Sequence, residues 1–369
     1  MEIQTMKKTK WLFVLFIVVI LLSGCKAEAD FSKTYNAGDT ALANIVINGI
    51  TYANTSEVYV TDPNGVTVTG TELNYIDPNA GENEKGVFID GRNVTLSPYI
   101  MSKYEVTQEL YTAVMSNQKV KIGETEYTLA SAPFYCTADN YDYKMLLQGE
   151  EQKYRAAEGM TWYDAVYFCN ALSDKTGLKK SYTIKVTDVN SNGNITAAKV
   201  ELVENAKGYR LPTDAEWEFA ARSGDPTKSA WLYMFSGAPK AVDSNYYDNG
   251  LDAVGWYLFN IRTGTTEKQT PSEGTAGYGT HQVGKKIANA LGIFDMSGNV
   301  YEWCYDWYDS LAAGNETNPT GPSSDCTHRI ARGGSWHSDA YAALVSFRCT
   351  EKPHNRYNNL GFRVVRSAK

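Results

Sequence analysis

The chain has 369 residues, a net charge of −7 and 26 tyrosines. An acidic chain without a cluster of basic residues argues against nucleic acid and against an anionic membrane surface as partners. Abundant tyrosine is typical of recognition surfaces, because this side chain offers a large amphipathic contact area with few rotatable bonds. A tyrosine-rich core is the alternative, and both can hold in one protein.

The N-terminal residues predict export. Three lysines precede an apolar run of 12 residues, Trp11–Leu22, which is shorter than the roughly 20 residues of a membrane-spanning helix. A basic start followed by a short apolar run is typical of a signal peptide. The sequence Leu22-Ser23-Gly24-Cys25 resembles the bacterial lipobox. This resemblance implies that residues 1–24 are removed and that Cys25 carries a lipid; an ordinary signal peptide with a chance cysteine is the alternative.

Removal of a segment with net charge +2 leaves a mature chain of 345 residues and net charge −9. We expect this chain to be lipid-anchored in the bacterial envelope, at the outer membrane and the cell surface. Five cysteines remain after Cys25, and an odd number in an exported protein means that at least one is unpaired.

Residues 25–83 are polar, and we interpret them as a spacer or a small β element. Within them, Glu57–Thr61 alternates before the turn-forming Asp62–Gly65, which predicts one arm of a hairpin. Near residue 84 the sequence changes from a mainly polar stretch to a series of predicted strands and helices. Strands are predicted at Val87–Ile89 and Tyr99–Ser102, followed by a helix from Glu105 to about Ser116.

Two later helices begin with capping signals. Thr161 and Asp164 approximate a capping box, and Thr213 and Glu216 form a complete one. Between these helices, residues 182–186 and 198–203 alternate around an Asn-Gly turn, which predicts a hairpin. Short helices among many loops indicate an α+β domain, which we place at residues 84–369.

Seven stretches, taken in order, resemble the formylglycine-generating enzyme (sulfatase-modifying factor) domain. They are Lys103–Thr107, Thr161–Val166, Gly208–Glu218, Asn289–Gly292, Asp295–Trp303, Arg332–Trp336 and Gly361–Arg363. The resemblance implies a variant of the C-type lectin fold, with a small mixed sheet, two packed helices and long loops.

The enzymes of this family oxidise a substrate cysteine with copper held by two thiolates. The first thiolate position corresponds to Ser338, and the second falls within residues 342–344, which are Ala, Ala and Leu. These side chains cannot replace soft thiolate ligands, so the resemblance implies a domain without the copper chemistry. The family disulfides also lack one end each: Cys169 would face Val364, and Cys349 would face Ala221. We therefore expect mostly free thiols, with Cys169 as a small core residue.

Two other chemistries have weaker support. A histidine-liganded iron occurs in another branch of the superfamily, but the four histidines here have no HxxxH spacing. A serine hydrolase would be signalled by a GxSxG elbow, and the sequence has none.

The segment between the Gly-Gly-Ser-Trp and Gly-Phe-Arg motifs has neither helical nor strand periodicity. It mixes Tyr, His, Asn, Ser, Asp and Thr as adaptable binding loops do, and it resembles the variable region of proteins diversified by retroelements on this same fold. A decayed enzyme loop is the alternative. The candidate ligand-binding residues are His337, Ser338, Asp339, Tyr341, Ala342, Phe347, Cys349, Thr350, Glu351, His354, Asn355, Tyr357 and Asn358.

Residues 297–303 match a calcium loop of the family, which implies Gly298, Asn299, Val300 and Glu302 as candidate metal residues. Hard oxygen ligands suit Ca²⁺. Glu302 could instead cap loop amides or pair with an arginine. We expect no required cofactor, with structural calcium as the one candidate ion.

These observations favour a non-enzymatic surface lipoprotein that binds a protein or carbohydrate ligand, expected on another cell, through residues 337–358. One alternative is a protein-modifying enzyme of the formylglycine-generating family. A structural envelope lipoprotein without a specific ligand is the other.

Overall fold

A computed structural model describes residues 35–71, 81–143, 146–241, 247–260, 272–322 and 326–368. The predicted signal peptide and the lipid-bearing Cys25 lie outside these residues. Of the helices in the described ranges, none combines the length and the apolar character that a membrane span requires.

The described helices are short and begin at polar caps. They are α1 (Gln108–Met115), α2 (Trp162–Thr176), α3 (Asp214–Ala221) and α4 (Asn249–Val254), with single 3₁₀ turns at Gln152–Tyr154, Ser229–Leu232 and Tyr341–Ala343. The capping boxes predicted for α2 and α3 are both present, each with the side-chain and the reciprocal bond. At the end of α2, Gly177 adopts the left-handed conformation with φ of 76°, a conformation that favours glycine.

The strands are equally short. In chain order they are β1 (Thr40–Leu42), β2 (Val46–Ile47), β3 (Ile50–Thr51), β4 (Glu57–Tyr59), β5 (Val66–Thr69), β6 (Arg92–Leu96), β7 (Tyr99–Ser102), β8 (Lys119–Ile122), β9 (Thr125–Thr128), β10 (Tyr182–Val189), β11 (Ile195–Leu202), β12 (Tyr301–Trp307), β13 (Gly314–Thr317), β14 (Arg329–Arg332), β15 (Arg348–Glu351), β16 (Leu360–Gly361) and β17 (Val365–Ser367). The structure is therefore α+β, with many strands and few helices.

Two four-stranded sheets organise the domain. One has the order β1-β4-β7-β17, and its neighbouring strands are antiparallel. The other has the order β15-β14-β12-β16 and is mixed, because β12 pairs in parallel with β16. A third sheet has the order β13-β6-β5, and the remaining strands form two-stranded hairpins. One apolar core packs α1 and α2 against the mixed sheet, and a second packs α3 against β4, β7 and β14.

Residues before position 84 share sheets with the rest of the domain. Strand β4 pairs with β7, and its Glu57 forms a fully buried ion pair with Arg366 of β17 at 2.9 Å. The boundary that the sequence analysis draws between residues 83 and 84 therefore does not coincide with a break in the sheets.

Several details of the sequence-based prediction were wrong. Residues 87–89 are not a strand; the strand is β6, and the backbone N–H of Val87 instead donates to the buried Glu218 carboxylate. Strand β4 is not a hairpin arm with β5, because the turn at 62–65 carries the chain from one sheet to another. The described residues contain four α-helices, of which α1, α2 and α3 were predicted, and several sheets, whereas the family resemblance implied two packed helices and one small mixed sheet.

Candidate ligand-binding site

The C-terminal segment, residues 337–358, crosses the surface between β14 and β16. All thirteen candidate ligand-binding residues in it have exposed or partly exposed side chains. Most of the residues between them are buried, among them Ala340, Ala343, Val345, Ser346 and Arg348, whereas Lys352 is exposed. The segment thus presents to solvent the residues that the sequence singles out.

The motifs on either side of the segment form a buried frame. Gly334 has a φ of 72°, and a Cβ there would lie 2.8 Å from the Cα of Ala343. A Cβ placed on Gly361 would lie 2.2 Å from the carbonyl oxygen of Ala157. The Trp336 side chain is fully buried, and its Nε1 donates to the Asn358 carbonyl at 3.0 Å. Glycine and tryptophan are therefore required here by close approach and packing.

The frame holds the segment largely through hydrogen bonds to the backbone carbonyls of the segment. The Arg332 guanidinium donates to the carbonyls of Val345 and Phe347. Other segment carbonyls accept bonds from elsewhere in the fold: Ser338 from Leu258 N, Ala343 from Ser297 Oγ, Pro353 from Trp162 N, and Tyr357 from Gly159 N. Because these acceptors are backbone oxygens, they stay in place when the side chain of the same residue changes.

Buried ion pairs stabilise the frame that holds the segment. Arg332 pairs with Asp214 at 2.9 Å and with Glu218 at 2.5 Å, and all three side chains are at most 3% exposed. Arg348 of β15 also reaches Asp214, at 2.8 Å. These pairs tie β14 and β15 to the first turn of α3. Removing one member would leave an uncompensated buried charge, which typically costs about 3–5 kcal/mol.

Tyr301 joins two separate parts of the segment. The Ser338 side chain and the Cys349 thiol both lie beside its phenol. Burial, reinforced by Cys349, raises the pKa of this phenol. Ser338 Oγ also lies 2.8 Å from Ser335 Oγ of the frame. The sequence analysis did not select Tyr301, although it stands in the loop matched to calcium binding.

The end of the segment carries a second polar cluster. Asn355 Nδ2 donates to Glu351 Oε2 at 2.8 Å and to the Tyr357 hydroxyl at 3.0 Å. The Tyr357 ring is 42% exposed. Beneath it, Arg356 donates to the carbonyls of Gly159 and Pro133. Tyr357 therefore stands on an ordered base with its ring in solvent.

Tyr341 and Phe347 form the opposite end of the surface. Their rings meet edge to face at 5.5 Å, and they pack against an apolar cluster that includes Met234, Leu251 and Tyr257. The Tyr341 hydroxyl lies beside Glu84, and burial together with this carboxylate raises its pKa. These two aromatic residues are partly committed to packing, unlike Tyr357.

Tyrosines from two other loops border the segment, and the sequence analysis missed them. The rings of Tyr143 and Tyr278 stack at 5.5 Å, and both meet Trp336 edge to face, at 6.1 and 4.8 Å. Asn358 Nδ2 donates to the Tyr143 hydroxyl at 2.7 Å. With Tyr141, which is 70% exposed, they form what we call the tyrosine wall. The concentration of tyrosine in residues 135–143 is the feature of the sequence that could have predicted this wall.

A family model described as the sulfatase-modifying factor enzyme 1-like domain matches residues 51–368. The chain belongs to this family. Among curated proteins, the chaperone protein LppX of Paenibacillus barcinonensis is 34% identical over 310 residues, which are 82% of this chain and 92% of that protein. The formylglycine-generating enzyme of Thermomonospora curvata is 34% identical over 157 residues, covering 41% of this chain and 42% of its own length.

Solved structures agree with the family assignment. Treponema denticola variable protein 1 superposes with a TM-score of 0.62 at 28% identity, covering 89% of this chain and 98% of that one. PvdO from Pseudomonas aeruginosa gives a TM-score of 0.53 at 19% identity, covering 85% and 94%. The second likeness shows the fold alone. The expected resemblance to a variable protein built on the sulfatase-modifying factor fold is thus confirmed.

The positions that the resemblance aligns with the family's copper thiolates lie in two different surroundings. Ser338 lies in the polar cluster with Tyr301, while Ala343 and Leu344 are buried in the apolar cluster beneath Tyr341. Cys349 is the nearest thiol to Ser338 along this network, and burial raises its pKa to about 11. Cys169 packs in the core beside α1, as the sequence predicted.

The loop that matches family calcium binding uses its carboxylate differently. Both Glu302 oxygens accept bonds from Arg363, at 2.6 Å each, and Oε2 also accepts from Trp217 Nε1 at 2.7 Å. The Asn299 side chain is engaged as well, accepting from His281 N and donating to Glu105. Within the described residues, no group of three acidic, histidine or cysteine side chains is arranged to hold a metal ion. The residues at 298–302 therefore do not fit a calcium site that depends on Glu302; its pairing with an arginine is the arrangement found.

Proposed function

We propose that this chain is a lipid-anchored, non-catalytic surface protein that binds a protein or glycan ligand through residues 337–358. One observation carries the proposal: the candidate residues are all exposed or partly exposed, while hydrogen bonds to backbone atoms fix the course of the segment. A site built this way can change its side chains and keep its shape. The likeness to Treponema denticola variable protein 1 supports this function, and we infer the same C-type lectin variant for the fold.

The absence of copper chemistry is part of the proposal. A serine hydroxyl at 338 and aliphatic side chains at 342–344 cannot provide soft thiolate ligands. The enzymatic alternative rests on relatives that this chain matches over less than half of their length. Anaerobic titration of the full chain with Cu(I) separates the two. Stoichiometric binding that is abolished by Cys349→Ser would favour the enzyme.

Surface attachment rests on Cys25. Lipidation there would hold the protein at the envelope, since each buried methylene of an acyl chain contributes about 0.8 kcal/mol. We expect Cys25→Ala to shift the protein from the detergent phase to the aqueous phase of a phase-partition experiment. A variant that stays with the detergent would contradict the lipoprotein assignment.

The binding function is tested with two matched variants of the mature chain. The first changes eight segment residues to Ala: His337, Ser338, Asp339, Tyr341, Thr350, His354, Asn355 and Tyr357. The control changes eight exposed residues of the β10–β11 hairpin: Thr183, Lys185, Thr187, Asp188, Ser191, Asn192, Lys199 and Glu201.

Both variants are compared with the wild type on an array of bacterial and host surface proteins and on a glycan array. We expect the segment variant to lose the wild-type binding pattern and the hairpin variant to keep it. If both variants bind as the wild type does, residues 337–358 are not the binding surface.

A further inference from the structure

The tyrosine wall is continuous with the C-terminal segment at both ends. Tyr278 meets His337, the first segment residue, edge to face at 6.4 Å. Tyr143 accepts a hydrogen bond from Asn358, the last candidate residue. The stacked pair therefore closes one side of the surface, although neither tyrosine belongs to the segment itself.

The loops that carry the wall are held in the same way as the segment. Arg155, which is 1% exposed, donates to the carbonyls of Tyr143 at 2.8 Å and Thr280 at 2.6 Å. The buried Glu158 carboxylate accepts the backbone N–H groups of Tyr135 and Cys136 at 2.9 and 2.8 Å. Buried side chains thus fix the backbone of these loops, leaving the Tyr141 ring exposed and Tyr143 partly exposed, while Tyr278 is buried behind them at 8% exposure.

Two carboxylates stand beside the wall. Gly274 N donates to the Asp142 carbonyl at 3.0 Å, which brings the backbone next to Glu273 against that of Asp142. Burial raises the pKa values of Tyr143 and Tyr278, and the negative charges of Glu273 and Asp142 add to this effect. Tyr141 lies against the same junction, with its ring 3.3 Å from a Cβ placed on Gly274.

Aromatic rings together with carboxylates complement an organic cation. A guanidinium or ammonium group is attracted to the faces of tyrosine rings, and a neighbouring carboxylate adds a charge-assisted hydrogen bond. A neutral sugar can pack against the rings, but it gains no electrostatic attraction from the carboxylates. The name of a relative that spans most of this chain, a chaperone protein, also supports a protein as the ligand.

We propose that the tyrosine wall, with Asp142 and Glu273, accepts an arginine or lysine side chain of a protein ligand. This inference rests on the proposed binding function and adds to it a fixed contact outside residues 337–358. The side chains of residues 337–358 would then contact the ligand surface around that basic side chain. A ligand without an accessible basic residue would be excluded whatever residues the segment carries.

The test uses small probes on the full mature chain, with tyrosine-ring NMR signals of Tyr143 and Tyr278 as the readout. The probes are Nα-acetyl-arginine methylamide, its uncharged citrulline isostere, and methyl glycosides. We expect saturable shifts with the arginine compound and roughly fivefold weaker or no binding of the citrulline compound. Asp142→Asn combined with Glu273→Gln should weaken arginine binding by a further factor of about three to five.

A control variant, Glu126→Gln with Glu201→Gln on the two surface hairpins, removes the same number of charges and should leave arginine binding unchanged. Absence of saturable shifts with the arginine compound, or equal binding of arginine and citrulline, would overturn the inference. Stronger shifts with the methyl glycosides would identify the wall as a sugar platform instead. None of these outcomes bears on the segment variant described above, so the two proposals fail separately.

Discussion

The β10–β11 hairpin and the C-terminal segment are both surface features, yet they are held in different ways. The hairpin pairs with itself over its whole length, from Tyr182 opposite Leu202 to Val189 opposite Ile195. The segment has short regular elements, and its carbonyls are bonded by residues from distant parts of the chain. Substitutions in the hairpin are therefore expected to change the structure of the hairpin alone. The shape of the segment depends instead on a frame of residues that lies outside the segment.

The largest effect is expected where the frame supports the segment. Trp336→Ala removes a fully buried indole, and we expect unfolding to become easier by about 3–5 kcal/mol. The exposed Thr183→Ala on the hairpin should stay within about 0.5 kcal/mol. Chemical denaturation of both variants measures the difference. A Trp336→Ala protein as stable as the wild type would mean that the frame is misidentified.

A pH-dependent effect is expected at the carboxylate below the tyrosine wall. Burial raises the pKa of Glu158 to about 8 from its ordinary 4.5. The folded protein therefore keeps a proton that the unfolded chain releases, and stability present below pH 4.5 is lost as the pH rises towards 8. One such group lowers the free energy of unfolding by about 1.4 kcal/mol per pH unit within this window.

Glu158→Gln should remove this component, so denaturation midpoints of the variant should fall less between pH 5.5 and 7.5 than those of the wild type. Asp306, whose pKa burial and Asp214 raise to about 8, leaves a residual slope of the same sign in both proteins. Parallel slopes for wild type and variant would show that Glu158 is ionised in the folded state.

Smaller effects are expected within the segment itself. The eight-residue segment variant changes side chains that face solvent, so each substitution should cost within about 0.5 kcal/mol. Tyr341 should account for most of the loss, because it packs beside Phe347. Single variants measured by thermal denaturation provide the ranking. If the His354→Ala change proved as damaging as Trp336→Ala, the distinction between frame and segment would fail.

No effect is expected from calcium removal. Since Glu302 is bonded to Arg363 and Trp217, an excess of chelator should leave the melting temperature of the domain unchanged. A ligand that binds only the folded state raises stability, so a fall in melting temperature with EGTA, restored by added Ca²⁺, would instead establish a calcium site.

The sequence predicted the elements whose signals are local. The capping boxes at Thr161 and Thr213 mark α2 and α3 correctly, because a cap is a contact between residues three positions apart. It failed at residues 87–89, where the backbone is bonded by Glu218 from a distant helix. Apolar composition alone does not reveal such a partner.

For the site, the residues selected from the sequence are exposed or partly exposed, because the family motifs that bracket them form the buried frame. Their role as ligand contacts stays a prediction. It did not find Tyr143, Tyr278 or Tyr301. These residues reach the surface only through long-range packing, at Trp336 and Ser338. The concentration of tyrosine in residues 135–143 was the one local signal, and it includes only Tyr143 of the three.

The position of β16 and β17 after the segment has a consequence at the level of the gene. Strand β16 pairs with β12, β17 pairs with β7, and Arg363 between them neutralises the buried Glu302. A codon exchange within 337–358 leaves these elements intact. A premature stop there removes them, and a shift of the reading frame replaces them, exposing sheet edges and leaving Glu302 without its counter-charge. Folding therefore selects for an intact reading frame, because it tolerates substitutions at the exposed positions of this stretch and does not tolerate the loss of β16 and β17.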